Sequence, residues 1–231
     1  MSIDLKKYLT EQYHRTISSG QVPGPVITIS RQYGCSAKEY ASLLGQKLNE
    51  LSTNPSEKAE WNWINKEIFV KTARDLNLKE SRILHIFEGQ KKGLIDSIIL
   101  STSEKYYTSD MAIMKKIIEV IRSFAEQGHI IIIGLGSVAI TRDIEKSLHI
   151  RLEAPFKWRV EQATKKYGKS YAETERITKE TDSKRDALRK MYTAKFDPNE
   201  LFDVTYNIST LAKEEVVDSI ICILKKRKMI L

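Results

Sequence analysis

Residues 25–39, PVITISRQYGCSAKE, constrain the fold most, because they read as a buried strand that turns sharply into an amphipathic helix. Val26 to Ile29 form a short run rich in β-branched residues, entered from the breaker Pro23-Gly24-Pro25. Ala41, Leu43, Leu44 and Leu48 then give the next segment an apolar helical face, with Gly34 in the turn between. The first turn of a helix leaves backbone N–H groups unpaired and carries partial positive charge. A glycine-containing turn that feeds a helix is therefore a candidate anion site.

The strict phosphate-loop pattern, G-x-x-x-x-G-K-[ST], is not met. With Gly34 on the interior glycine, Arg31 takes the place of the first Gly, Ser36 the second, Ala37 the Lys and Lys38 the Ser/Thr. Lys38 thus comes one residue late, which turns its amine by about 100° around the helix. It either stands in for the metal-binding hydroxyl or only lies near the phosphates. On this local pattern alone an ordinary strand–turn–helix with a basic first turn is equally open.

Further segments give the stretch a wider setting. They are Trp63-Ile64-Asn65-Lys66-Glu67-Ile68, Ile130 to Ile133 with Gly134-Leu135-Gly136, His149 to Pro155 with Trp158-Arg159, Thr181-Asp182-Ser183-Lys184-Arg185, and Phe202 to Asn207. In this order and spacing, from Val26 to Ile223, the chain resembles the cytidylate kinase-like family of bacterial P-loop proteins. That family's loop usually runs S-R-x-[YF]-G-S-G-G-R, and Ser30 to Lys38 follow it.

The resemblance implies an α/β fold, three-layered α/β/α, with a parallel sheet of about five strands, P-loop nucleoside monophosphate kinase-like, and a helical lid at about residues 159–195. It implies ATP as donor, Mg²⁺ as cofactor and a nucleoside monophosphate, CMP or dCMP first, as acceptor. Ser30, Arg31, Gly34, Cys35, Ser36 and Lys38 would take the donor phosphates with Arg189; Asn65, Gly134, Gly136 and Arg185 would line the acceptor side; Lys38, Arg159, Asp182 and Arg185 would act in transfer. No resident metal ligand set is expected. Such a reaction needs two positioned substrates and neutralised charge, and no covalent nucleophile.

Composition narrows the remaining classes. A chain of 231 residues with 41% apolar content can bury one sizeable core. The breaker at Gly20 to Pro25 and the start of the resemblance at Val26 set off an N-terminal helical extension, 1–24, from one domain, 25–231. The extension, helical around Leu5 to Ile17, packs on the sheet or on a second subunit, so a homodimer stays open. Two cysteines far apart, with no secretory leader, fit the cytoplasm, and no apolar run approaches the ~18–20 residues of a membrane helix. Cys35 reads as a small turn residue rather than an acidified thiol.

The net charge of +8 raises the question of nucleic acid. The cluster Lys225-Lys226-Arg227-Lys228 follows the periodic Val216, Val217, Ile220, Ile221 and Leu224, so it complements a helix C-terminus. No DNA or RNA motif accompanies it, which disfavours nucleic acid as partner; small nucleotides are the partners that the resemblance implies. The histidines His14, His85, His129 and His149 show no metal-ligand spacing.

Secondary structure reads as alternating strands and helices, with strands at Val26–Ile29, Ile130–Ile133, Leu148–Leu152 and Val204–Ile208. Residues 66–127 read as mostly helical, broken near Gly89 to Gly93 and at Thr108-Ser109-Asp110, the latter as an N-cap. Tyr106-Tyr107 reads as a core pair or, less readily, a base-stacking pair. Three positions depart from the family pattern: Ala37 at the motif lysine, Asn65 where Asp is expected, and Leu135 at the arginine of Gly-Arg-Gly. They keep a second reading in view, a catalytically degenerate relative that binds a nucleotide or another phosphorylated ligand as a regulatory module.

Overall fold

The computed structural model describes residues 25–51, 60–73, 104–193 and 200–230. Five parallel strands, β1 (Val26–Arg31), β2 (Asn62–Ile64), β3 (Ile130–Ile133), β4 (Ser147–Glu153) and β5 (Val204–Asn207), form one sheet in the order β2-β3-β1-β4-β5. The sequence places four of these strands, and the fifth, β2, is a three-residue edge too short to stand out by pattern. Helices α1 (Ala37–Leu51), α2 (Lys66–Ala73), α3 (Glu104–Gln127), α4 (Ser137–Ile140), α5 (Phe156–Tyr167), α6 (Tyr171–Thr193) and α7 (Lys213–Lys226) connect and cover it.

Alternation along the strands builds two cores. Ile27, Ile29, Ile131, Ile133, Leu148 and Ile150 face α1 and α7, meeting Ala41, Leu44, Leu48, Val217, Ile220 and Leu224. Val26, Ile130 and Ile132 face the other side, against Ile117, Ile121, Phe124 and Ala125 of α3. A strand buried on both faces must be apolar at every position, which is why β3 is four consecutive isoleucines. The result is the expected three-layer α/β/α fold of P-loop nucleoside monophosphate kinase-like proteins, with α5 and α6 forming the helical pair over one end.

One expectation fails locally. Thr108-Ser109-Asp110 lies inside α3, which begins four residues earlier at Glu104. Capping residues are a weak prior, and Glu104 to Tyr107 carry no breaker that would stop the helix from extending. Trp61 is buried and Trp63 half-buried, as expected of both. Asn49 holds the connection into β2 by accepting from the Trp61 N–H at 2.7 Å and donating to its carbonyl at 3.1 Å. Lys225 and Lys226 fall in the last turn of α7, where cations suit the helix dipole.

The expected N-terminal helix, the turn near Gly89 to Gly93 and the side chains of Tyr106 and Tyr107 lie outside the described residues. Among the described residues no helix is long and apolar enough to cross a membrane.

Candidate functional site

Where β1 and β3 end, the backbone turns away from the sheet and leaves a crevice, the usual place for ligands in parallel α/β folds. Here it is a cleft of about 310 Å³. The strands supply Thr28, Ser30, Arg31 and Ile133, the turn before α4 supplies Gly134 to Gly136, the start of α4 supplies Ser137 and Val138, and α2 supplies Lys66. Helix α6 closes the side with Thr181, Lys184, Arg185, Leu188 and Arg189. Five of these side chains are cationic and none is a carboxylate.

Burial, with charge crowding second at Arg31 and Arg189, holds the guanidinium groups of the cleft below their ordinary range. Burial and the neighbouring Arg185 guanidinium bring Arg31 down to about 9, and burial also lowers Arg185 despite Asp182 beside it. Arg189 is lowered by burial first and by Arg151 second. Like charges held together out of water favour an anion that neutralises them. Arg185 is fixed by donating to the Arg31 carbonyl at 3.2 Å.

The Gly134-Leu135-Gly136 turn is built around Arg31. All three residues are left-handed, with φ of 72°, 62° and 71°. The Gly134 N–H donates to the Ile29 carbonyl at 3.1 Å, and the Ser137 N–H closes the turn on the Gly134 carbonyl at 3.0 Å. A Cβ on Gly134 would lie 2.2 Å from an Arg31 guanidinium nitrogen, so glycine leaves the room that the end of this cation takes against the turn. Leu135 accepts the unfavourable conformation while burying its side chain in the α3-side core.

The turn between β1 and α1 has a different environment. Arg159, buried at the start of α5, donates from Nε to the Ala154 carbonyl at 2.9 Å and from its terminal nitrogen to the Tyr33 carbonyl at 2.9 Å. The same nitrogen pairs with Asp182 at 2.5 Å, and the other Asp182 oxygen accepts from the Tyr33 N–H at 2.7 Å. Asp182 therefore sits where an anion could meet the turn, and clamps α6 to it. Gly34, at φ 89°, packs so closely that a Cβ would be 2.6 Å from the Arg159 carbonyl oxygen.

Ser30, Arg31, Gly134, Gly136, Arg185 and Arg189 thus share the cleft. The remaining residues singled out in the sequence stand elsewhere. Lys38 is exposed, its amine 5.8 Å from the centre of the Trp63 ring. The Ser36 hydroxyl accepts from Lys166 at 2.9 Å, which also pairs with Glu39 at 3.2 Å. Burial pushes the Cys35 thiol up to about 11, so it is a neutral packing group. Asn65 caps α2, its Oδ1 accepting from the Ile68 N–H at 2.9 Å.

Lys66, Lys184, Thr28 and Thr181 also line the cleft, although the sequence does not mark them as site residues. For the α6 pair a signal exists: Thr181, Lys184, Arg185 and Leu188 fall at i, i+3, i+4 and i+7, one face of a helix. Lys66 follows the Asn65 cap as the first residue of α2. Thr28 is held from behind, its hydroxyl 2.8 Å from Nδ1 of His149, which burial lowers to about 4 and keeps neutral.

Residues 26–210 match the model of the cytidylate kinase-like family. The structure resembles that of an uncharacterized protein from Eubacterium ventriosum at a TM-score of 0.62 and 14% identity, covering 87% of this chain and 98% of that one. TT1252 from Thermus thermophilus aligns over 88% of this chain and 99% of its own at 14% identity and a TM-score of 0.46. No curated protein matches the chain.

Proposed function

This chain belongs to the cytidylate kinase-like family, and we propose that it transfers the γ-phosphoryl group of ATP to a nucleoside monophosphate, with CMP or dCMP the favoured acceptor. The carrying observation is the cleft at the ends of β1 and β3, where Arg31, Lys66, Lys184, Arg185 and Arg189 surround about 310 Å³ with no carboxylate among the lining residues. An acceptor phosphate oxygen attacks the γ-phosphorus, the bond to the β-phosphate oxygen breaks, and ADP leaves. The charge spread over the transferring oxygens is met by guanidinium groups already in place. Helices α5 and α6 act as the lid of residues 159–195, excluding water from the transfer.

The donor set fits Mg²⁺ poorly as a protein-held ion. Among the described residues no group of three or more acidic, histidine or cysteine side chains could hold a metal, and Asp182 beside the turn is committed to Arg159 and the Tyr33 N–H. Any ion would arrive on the nucleotide phosphates.

A second reading, a binding module without transfer, is favoured by three observations: Lys38 leans over Trp63, Asp182 covers the Tyr33 N–H, and Leu135 is packed into the core. Calorimetric titration with ATP and with CMP in Mg²⁺, followed by a transfer assay across nucleoside monophosphates, separates the two. Binding with turnover supports the kinase and names its acceptor; binding without turnover supports the module; no binding sinks both.

A further inference from the structure

We infer that the exposed ring of Tyr167 is a stacking platform for the base of a nucleoside triphosphate whose phosphates occupy the basic cleft. The inference rests on the anion-binding reading of that cleft and adds a site outside it. None of the residues lining the cleft is aromatic, so the cleft offers charge and small apolar walls but no flat face for a base. The flat faces stand next door, joined to it by one residue.

That residue is Arg185. It lines the cleft, and its guanidinium carbon lies 5.8 Å from the centre of the Tyr33 ring. Tyr33 in turn stacks on Tyr167, centroids 6.2 Å apart and planes 25° from parallel. A column of cation, ring and ring therefore leads out of the cleft and ends on Tyr167, the last residue of α5, which is 54% exposed. Beyond it the chain passes through Gly168, around whose Cα a Cβ would meet nothing within 4 Å. The outer end of the column therefore lies at the surface.

The platform is also held in place. Lys166, its neighbour in α5, is tied to Ser36 and Glu39 at the start of α1, so the end of α5 is referenced to the same turn that joins β1 to α1. An aromatic ring anchored near a set of cations and exposed at the surface suits a ligand that is planar at one end and polyanionic at the other. Every base has a π-face, so this contact adds affinity while discriminating little between bases.

Binding of ATP and of inorganic tripolyphosphate, each with Mg²⁺, to the full-length protein and to its Tyr167→Ala and Tyr167→Phe variants tests the inference. The expected result is that Tyr167→Ala weakens ATP at least about fivefold, leaves tripolyphosphate unchanged, and is rescued by Tyr167→Phe. Because the residue is exposed, the variants are expected to fold, and a thermal melt checks this. Unchanged ATP affinity in Tyr167→Ala overturns the platform while leaving the cleft reading intact. Equal weakening of ATP and tripolyphosphate overturns it too, since Tyr167 would then only brace Tyr33 and Arg185. Failure of the wild-type protein to bind either compound overturns the cleft reading, and the platform with it.

Discussion

Two clefts of nearly equal size lie at opposite ends of the same sheet, and only one has the character of a binding site. The first, about 310 Å³, is at the ends of β1 and β3; the second, about 300 Å³, is at the start of β4. The second is lined by Arg142 and Arg227 against Asp143, Glu145, Glu200 and Asp203, with His149 at its floor. There Arg227 meets Asp203 at 2.9 Å, Arg142 donates to the Glu200 carbonyl at 2.6 Å, and Asp143 is taken by Arg122 at 2.6 Å. The lining of the second cleft thus sets four carboxylates beside two arginines, whereas the lining of the first has five cations and no carboxylate, with Asp182 and Asp186 beside Arg185 and Arg189 but outside the wall. Cavity size therefore says little here, and the charge of the lining residues says much.

Breaking the clamp that holds α6 over the first cleft should have the largest effect. Arg159→Ala removes the guanidinium from Asp182 and from the Tyr33 and Ala154 carbonyls, and leaves the Gly34 turn without its support. Losing one partner of a buried pair costs ~3–5 kcal/mol. The lower end is expected, since the Asp182 side chain retains 22% exposure. Chemical denaturation would show the loss; a change under about 1 kcal/mol would mean that the clamp does not hold the lid.

The two clefts also touch through one polar contact, Thr28 in the first against His149 in the second. Burial is the main cause of the lowered His149 pKa, with Arg142 and Arg227 adding to it and Asp203 opposing. The imidazole is held down to about 4 in the folded chain against an ordinary value of 6.5. Between these values the unfolded chain takes up a proton that the folded chain refuses. The contribution is complete above about pH 6.5 and is lost as pH falls to about 4, on the order of 3 kcal/mol. Denaturation of the wild type and of His149→Gln at pH 7 and pH 4.5 isolates it: the wild type should lose more stability than the variant, and parallel losses would refute the shift.

In the cleft itself, Arg185→Ala should weaken ATP or CMP about ten- to a hundredfold, the worth of one charge-assisted contact. Arg227→Ala, at the opposite end, should leave the same affinity unchanged. Calorimetry on both variants decides whether charge imbalance picked the right end, and equal effects would erase the distinction between the clefts.

Much of this architecture is legible in the sequence because it follows from burial. Four isoleucines at 130–133, the Val26 to Ile29 run and the periodic apolar residues of α7 leave few alternatives to a covered parallel sheet. Arg31, Gly134, Gly136 and Arg185 stand out by motif, and they do meet in the cleft. The direction of side chains is less legible. Lys38 turns to Trp63, and Asp182 faces Arg159 and Tyr33, because residues one position apart on a helix point about 100° apart. Helix α3 shows the other limit, since whether Thr108 to Asp110 cap a helix or continue it depends on packing that no local pattern reports.

Strain at the cleft gives the smallest and most specific expectation. Leu135 is left-handed at φ 62° between two left-handed glycines, and its side chain is 6% exposed in the α3-side core. A residue with a Cβ is disfavoured in this conformation by ~1–2 kcal/mol, which the buried side chain offsets. Leu135→Ala keeps the strained backbone and loses most of the burial, at ~2–3 kcal/mol. Leu135→Gly loses the same contacts but relieves the strain, so it should be the more stable variant by ~1 kcal/mol. Elsewhere in a chain the order of glycine and alanine is usually the reverse, because glycine frees the unfolded state. Thermal melts of the two variants side by side therefore read the backbone alone. If Leu135→Ala proves the more stable, the three-residue left-handed turn around Arg31 is not strained at Leu135, and the shape of that wall of the cleft must be explained without it.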